Sequence, residues 1–161
     1  KLKTTKYLNR YFSINLNEDK VYRYLDKLYS EQKEHIQQIS YQHTLEILNG
    51  VISVVFYDVT TLYFQIDDED EIRKRGFSKE GKHRNPQIVL GLLVSIDGYP
   101  LAFEIFEGNK FEGHTMLPIL DAFKDKYQLN KLVIVADSGL LSNQNITGLQ
   151  QKGYEFILGA R

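Results

Sequence analysis

The sequence predicts an α/β protein: a mixed β-sheet with helices on its faces, preceded by a helical N-terminal segment. Three observations carry this. Apolar residues recur at helical spacing up to Asn49-Gly50, and at Val51 the pattern switches to a β-branched and aromatic run. The strand-like stretches that follow cluster first as hairpin neighbours, with Asp97-Gly98 as a strong turn signal. They then alternate with helical stretches, which is how a sheet with helical connections reads.

The elements follow in order. Residues 17–49 read as helices. Asn17 is a suitable N-cap with Glu18 and Asp19 in the first turn, and Val21, Tyr24, Leu25 and Leu28 recur behind it. Ser30 reads as the cap of a second helix with Ile36, Ile39, His43 and Ile47 on its apolar face. The run 51–57 reads as a strand buried on both faces, 60–66 as the next strand and 67–86 as a charged loop. Residues 87–96 and 99–106 form the hairpin around Asp97-Gly98. Thr115 reads as the N-cap of a helix carrying Leu117, Leu120, Phe123 and Tyr127, which Asn130 closes. A short apolar strand, 132–136, ends at Asp137. Ser142 caps a helix to Gly153, and 154–158 is a last strand. The order from residue 51 is β-β-β-β-α-β-α-β, or β-β-β-α-β-α-β if the third and fourth strands form one bent ribbon.

Composition narrows the function. Hydrophobic content of 42% and charged content of 25% are those of a soluble globular domain. No apolar run approaches the ~20 residues that span a bilayer, and no signal peptide opens the chain. The absence of cysteine excludes disulfides and thiolate metal sites and fits a cytoplasmic location. A net charge of −1 is not that of a strongly basic nucleic-acid binder. Charge is segregated, however. Residues 67–71 are five consecutive acids, and 72–84 hold six cations, Arg73, Lys74, Arg75, Lys79, Lys82 and Arg84, against one Glu. With Phe77 among them, these suit a nucleic-acid backbone and one stacked base. They suit equally a solvated loop neutralised by the acids before it.

Two acids stand out. Asp58 follows the apolar run 51–57 and Asp137 follows 132–136. A carboxylate within a hydrophobic strand costs several kcal/mol unless compensated, on the order of magnitude set by desolvation. Ligands of open α/β sheets bind at the carboxyl ends of parallel strands. Two such ends bearing Asp bring like charges together, which a divalent cation relieves, and oxygen donors suit Mg²⁺ or Mn²⁺. Each acid also has a plainer reading: Asp137-Ser138-Gly139 as a turn held by the Asp side chain, and Asp58 as a bulge or edge carboxylate. The four histidines show no metal-ligand spacing, and neither a P-loop nor a Gly-x-Ser-x-Gly elbow is present.

The stretches YDVTTLYF (57–64), RGFSKEGK (75–82), PQIVLGLLVSIDGYPLAFEIFEGN (86–109) and IVADSGLLS (134–142) together resemble the DDE transposases of bacterial insertion sequences, over residues 51–161. The resemblance implies an RNase H-like catalytic core at 51–161 behind a helical lead-in at 1–50. It implies metal-ligating roles for Asp58 and Asp137, two Mg²⁺ or Mn²⁺ ions in the complete site, and cleavage and transfer of DNA strands. Transposon ends and target DNA would be the partners, with a homodimer in the synaptic complex and no membrane. The family's third carboxylate is a Glu in a Tyr-x-x-Arg-x-x-x-Glu pattern absent from this sequence. The chain starts at Lys1 rather than Met and stops at FILGAR, so the expectation is the N-terminal part of a core excised from a longer protein, inactive alone. Two alternatives stand beside this: a non-catalytic DNA-binding module derived from a transposase, and a haloacid-dehalogenase-like phosphohydrolase. The second Asp of the latter's nucleophile loop would fall on Thr60.

Overall fold

The computed structural model describes residues 2–129 and 131–160, and the chain divides into two units, one up to Ile39 and one from Ser40. The first holds α1 (Leu2–Phe12) and α2 (Glu18–Lys27). Asn17 caps α2 as expected, its side chain accepting from the Asp19 N–H at 2.8 Å. Ser30 caps nothing: it lies inside a π-helical turn, Leu28–Gln32, that runs on into α3 (Lys33–Ile47). No Gly or Pro interrupts residues 28–33, so the extra residue is absorbed as a wider turn.

The second unit is built on one five-stranded sheet. Its strands are β1 (Val54–Tyr63), β2 (Gln87–Ser95), β3 (Pro100–Glu107), β4 (Val133–Ala136) and β5 (Glu155–Leu158), in the order β3-β2-β1-β4-β5. β1, β2 and β3 form an antiparallel meander, while β4 runs parallel to β1 and β5 parallel to β4. Helices α4 (Met116–Tyr127) and α5 (Asn143–Gln151) make the crossovers. This is the RNase H-like arrangement that the resemblance implies.

The seven-element order is realised by a different merger from the one expected. The stretches 51–57 and 60–66 are one strand, because β1 pairs with β2 without a break from Val55↔Ser95 to Tyr63↔Gln87. Continuous cross-strand pairing outweighs the polar Asp58-Val59-Thr60 interruption. Nor is β1 buried on both faces: Val55 and Tyr57 are buried, and Phe56 and Asp58 are exposed. The hairpin forms where expected, with Gly98 at φ 83°.

The core lies on one face. Val55, Tyr57, Leu93 and Ile134 from the sheet meet Met116, Leu120 and Phe123 of α4 and Leu149 of α5. Tyr41 of α3 joins them, stacked on Tyr127 with ring centroids 3.6 Å apart. The stripe expected on this helix is not the buried one, since Ile36, Ile39 and Ile47 are exposed while Tyr41 and Thr44 are buried. The large ring that finds aromatic partners sets the helix rotation. α4 closes at Gln128, in the left-handed region at φ 51°, and the expected stop Asn130 lies outside the described residues. Among the described residues no helix is long and apolar enough to cross a membrane.

Candidate active site

Strand register puts Asp58 and Asp137 at neighbouring positions of the sheet. β1 and β4 pair in parallel, with Tyr57 opposite Ala136. The next residue on each strand is therefore an aspartate, on neighbouring chains that parallel pairing holds ~4.8 Å apart. The sequence placed Asp58 at a strand end. It is instead mid-strand, across from Leu92 of β2, at the level where β4 stops. Its carboxylate is exposed, so the desolvation cost expected from its apolar neighbours does not arise. Side-chain alternation turns Asp58 away from the core that Tyr57 enters.

Asp137 takes up the turn that its sequence allowed. It sits beyond the last β1–β4 pair, and its Oδ1 accepts the Gly139 N–H at 2.9 Å, opening the turn Ser138–Leu140. The bond fixes the carboxylate's direction. Among the described residues no group of three or more His, Cys, Asp or Glu is arranged to hold a metal ion.

Beneath Asp58 the Tyr57 hydroxyl donates to Thr115 Oγ1 at 2.7 Å, and that hydroxyl donates to the Glu112 carbonyl at 2.6 Å. Thr115 was expected to cap α4 but makes no such bond, its side chain being committed to this chain of hydroxyls. Burial pushes the Tyr57 phenol up to about 12, against the lowering effect of the Thr115 bond, and the charges of Asp58 and Glu112 push it the same way as burial. Tyr57 is thus a neutral support and not a base.

Beside Asp137 lies a cleft of about 490 Å³, whose lining includes Phe77, Lys79, Phe111 and Glu112 but not Asp58. One wall is the loop between β1 and β2, and backbone contact fixes its position. Lys74 exchanges both backbone hydrogen bonds with Gln87, and the Gly108 N–H donates to the Ile72 carbonyl. The buried Gln87 side chain donates from Nε2 to the carbonyls of Gly108, at 2.6 Å, and Phe77, at 3.2 Å. The approach is so close that a Cβ on Gly76 would lie 2.2 Å from the Gly108 oxygen. Ser78 then bonds Tyr63 and accepts the N–H of Lys82, so the tip is ordered too.

The six loop cations separate on this frame. Arg73 pairs with Asp70 at 2.6 Å. Arg75 is folded onto the acidic run, its N–H on Glu69, its guanidinium on the Asp67 and Arg84 carbonyls. Lys82 pairs with Glu80 and lies over the Tyr63 ring. Lys74 is held by its backbone at Gln87, and Arg84 is exposed at the far end of the loop. Of the six, it is Lys79 that lines the cleft with Asp137. Its Nζ lies 2.8 Å from Glu112, which, with the more distant Asp137, raises its pKa. Glu112, Phe111 and Gln87 escaped the sequence reading. The first two sit in a loop without periodicity, and a buried Gln at the head of an apolar strand was the one available signal.

The sequence pattern of the family described as "Transposase DDE domain" matches residues 49–161. No curated protein matches the chain. Among solved structures, the chain is similar to the Mos1 transposase paired-end complex with left transposon end at 10% identity and a TM-score of 0.44, over 79% of this chain and 42% of that one. The catalytic domain of Mos1 mariner transposase gives 9% identity and 0.42, over 79% and 60%. The piggyBac transposase synaptic complex with hairpin DNA gives 10% and 0.42, over 66% and 22%. The chain thus spans less than two thirds of the length of each of these proteins.

Proposed function

This chain belongs to the transposase DDE domain family, and from that premise we propose that it supplies two of the three carboxylates of a metal-dependent centre for DNA strand cleavage and strand transfer. The observation that carries this is the register: Asp58 and Asp137 are the residues immediately beyond the Tyr57–Ala136 pair of two parallel strands. Hard oxygen donors on rigid strands suit Mg²⁺ or Mn²⁺. Asp58 and Asp137 would hold such ions, which would supply activation of water or a DNA 3′-hydroxyl and stabilisation of the leaving oxygen.

The chain's own residues do the remaining work. The β1–β4 pairing puts Asp58 and Asp137 one residue beyond a paired position, and the Gly139 N–H orients the Asp137 carboxylate. Lys79, on its anchored loop, binds a backbone phosphate, releasing Glu112. Arg73 and Lys82 are paired with Asp70 and Glu80, and the Arg75 guanidinium is tied to the Asp67 and Arg84 carbonyls, so all three contribute less. Transposon-end and target DNA are the partners, with paired protomers in the assembled complex. Residues 1–50 serve as a helical lead-in. A DNA-binding role is the second reading, since among the described residues no group of three or more metal-ligating side chains comes together. Family membership sets the phosphohydrolase aside.

Titration with Mn²⁺, followed by the loss of its free electron paramagnetic resonance signal, tests the centre. Wild type should bind weakly, and both Asp58→Asn and Asp137→Asn should bind at least roughly ten-fold more weakly. Equal binding by wild type and Asp58→Asn would sink the shared site.

A further inference from the structure

We propose that Gly159 is a positioning residue for the acid pair: its bare Cα lets the end of β5 close on the Asp137–Ser138 peptide and so fixes where the Asp137 carboxylate points. The inference rests on the proposed metal centre and adds a residue outside its two acids. Beyond the last β4–β5 pair, Ala136 with Leu158, the next residues are Asp137 and Gly159. At this level of the sheet the register therefore runs Leu92, Asp58, Asp137, Gly159.

Space, and not backbone conformation, demands the glycine. φ at Gly159 is not positive, unlike that of Gly50, Gly81, Gly98 and Gly153, so any residue could adopt its backbone. At those four positions a Cβ would meet nothing within 4 Å. At Gly159 a Cβ would lie 2.8 Å from the Ser138 nitrogen and 3.3 Å from the Asp137 carbonyl carbon. Both are backbone atoms, so relief requires the strand end or the turn to shift. The Gly159 N–H donates to the Ala136 carbonyl at 3.0 Å, which ties the strand end to β4.

The turn on the other side is held as well. Asp137 Oδ1 accepts the Gly139 N–H at 2.9 Å, and a Cβ on Gly139 would lie 3.0 Å from the same oxygen. Farther along, Leu140 is buried, and its carbonyl accepts from Nδ2 of the buried Asn145 at 2.8 Å. A side chain at 159 therefore displaces the Asp137–Ser138 peptide, and with it the carboxylate. Ordinary contact begins near 3.4 Å, so the needed shift reaches the roughly 0.5 Å within which a metal site must hold its ligands.

The test uses the whole isotope-labelled chain and reads the coupling through the hydrogen bond from the Gly139 nitrogen to the Asp137 carboxyl carbon. In metal-free wild type this coupling should be present, and a nuclear Overhauser contact should join the Gly159 Hα to the Ser138 N–H. Gly159→Ala should abolish the coupling and weaken Mn²⁺ binding roughly ten-fold. Gly148→Ala is the control for tight packing alone, because its Cβ would lie 2.5 Å from Leu117 Cδ1, between α5 and α4. It should lower the melting temperature and leave the coupling and Mn²⁺ binding as in wild type. A coupling or an Mn²⁺ affinity that survives in Gly159→Ala, or a coupling lost equally in Gly148→Ala, would overturn the inference. So would absence of the Overhauser contact in wild type, which decides the matter if Gly159→Ala fails to fold. The coupling is read without metal, so it tests the placement even where wild type binds no Mn²⁺, a result that would sink the metal reading alone.

Discussion

On β1, Val55 and Tyr57 enter a packed interior, while Phe56 and Asp58, one residue away, face outward. The same division holds across the sheet. The covered face carries Leu93, Ile134 and the helices α4 and α5. The other carries Leu62, Ile105 and Ile157, all exposed, together with Asp58. The difference teaches how a strand can bear an acid at little cost. The covered face supplies the rigidity, through burial worth about 25 cal/mol per Å² of apolar area. The open face leaves the carboxylate hydrated, so it needs no buried counter-charge. Strand alternation lets one segment serve both needs.

Substitution across the two faces gives the largest effect. Leu93→Ala, at a fully buried position, should cost ~2–5 kcal/mol in urea unfolding. Leu62→Ala on the open face should stay within about 0.5 kcal/mol. A comparable loss at Leu62 would break the comparison, because it would mean that the outer face is covered in solution.

A smaller effect lies where the faces meet. Thr115→Val removes the acceptor of the Tyr57 hydroxyl and the donor to the Glu112 carbonyl. It should destabilise by about 1–3 kcal/mol, the cost of orphaning buried polar groups. Wild-type stability in calorimetry would show that this hydroxyl chain does not support β1.

The smallest effect is alkaline. The Tyr57 phenol is raised from its ordinary value of 10 to about 12 by burial. Its contribution is fully present below pH 10 and is lost as pH rises through about 12. Tyr57→Phe should therefore flatten the fall of stability with pH above 10, in part only, since Tyr154 is raised by burial and by Asp121 as well. An unchanged alkaline limb would mean that Tyr57 is wetter than its packing indicates.

Much of this was legible in the residues. The Asp97-Gly98 hairpin, the Asn17 and Ser142 caps and the strand–helix alternation all formed as read. These are local signals, carried by residues within a few positions of each other. The readings that changed were ones in which distant partners compete. Thr115 gave up its cap for Tyr57, 58 positions away. Ser30 was absorbed into a longer helix, and Tyr41 took the core position expected of an Ile stripe.

By itself the sequence determined the switch from helices to strands, the hairpin and the later strand–helix alternation, and it marked Asp58 and Asp137 as acids following apolar runs, because periodicity and turn chemistry act over a few residues. Only the tertiary structure decided that these acids are register neighbours on parallel strands, and that Asp58 lies on the open face. It alone singled out Lys79 from six loop cations and set Phe77 and Phe111 around one cleft. Those facts depend on β4 pairing beside β1 and on Gly76, Gln87 and Gly108 clamping the loop. Such contacts join segments far apart in the chain, and no local pattern encodes them.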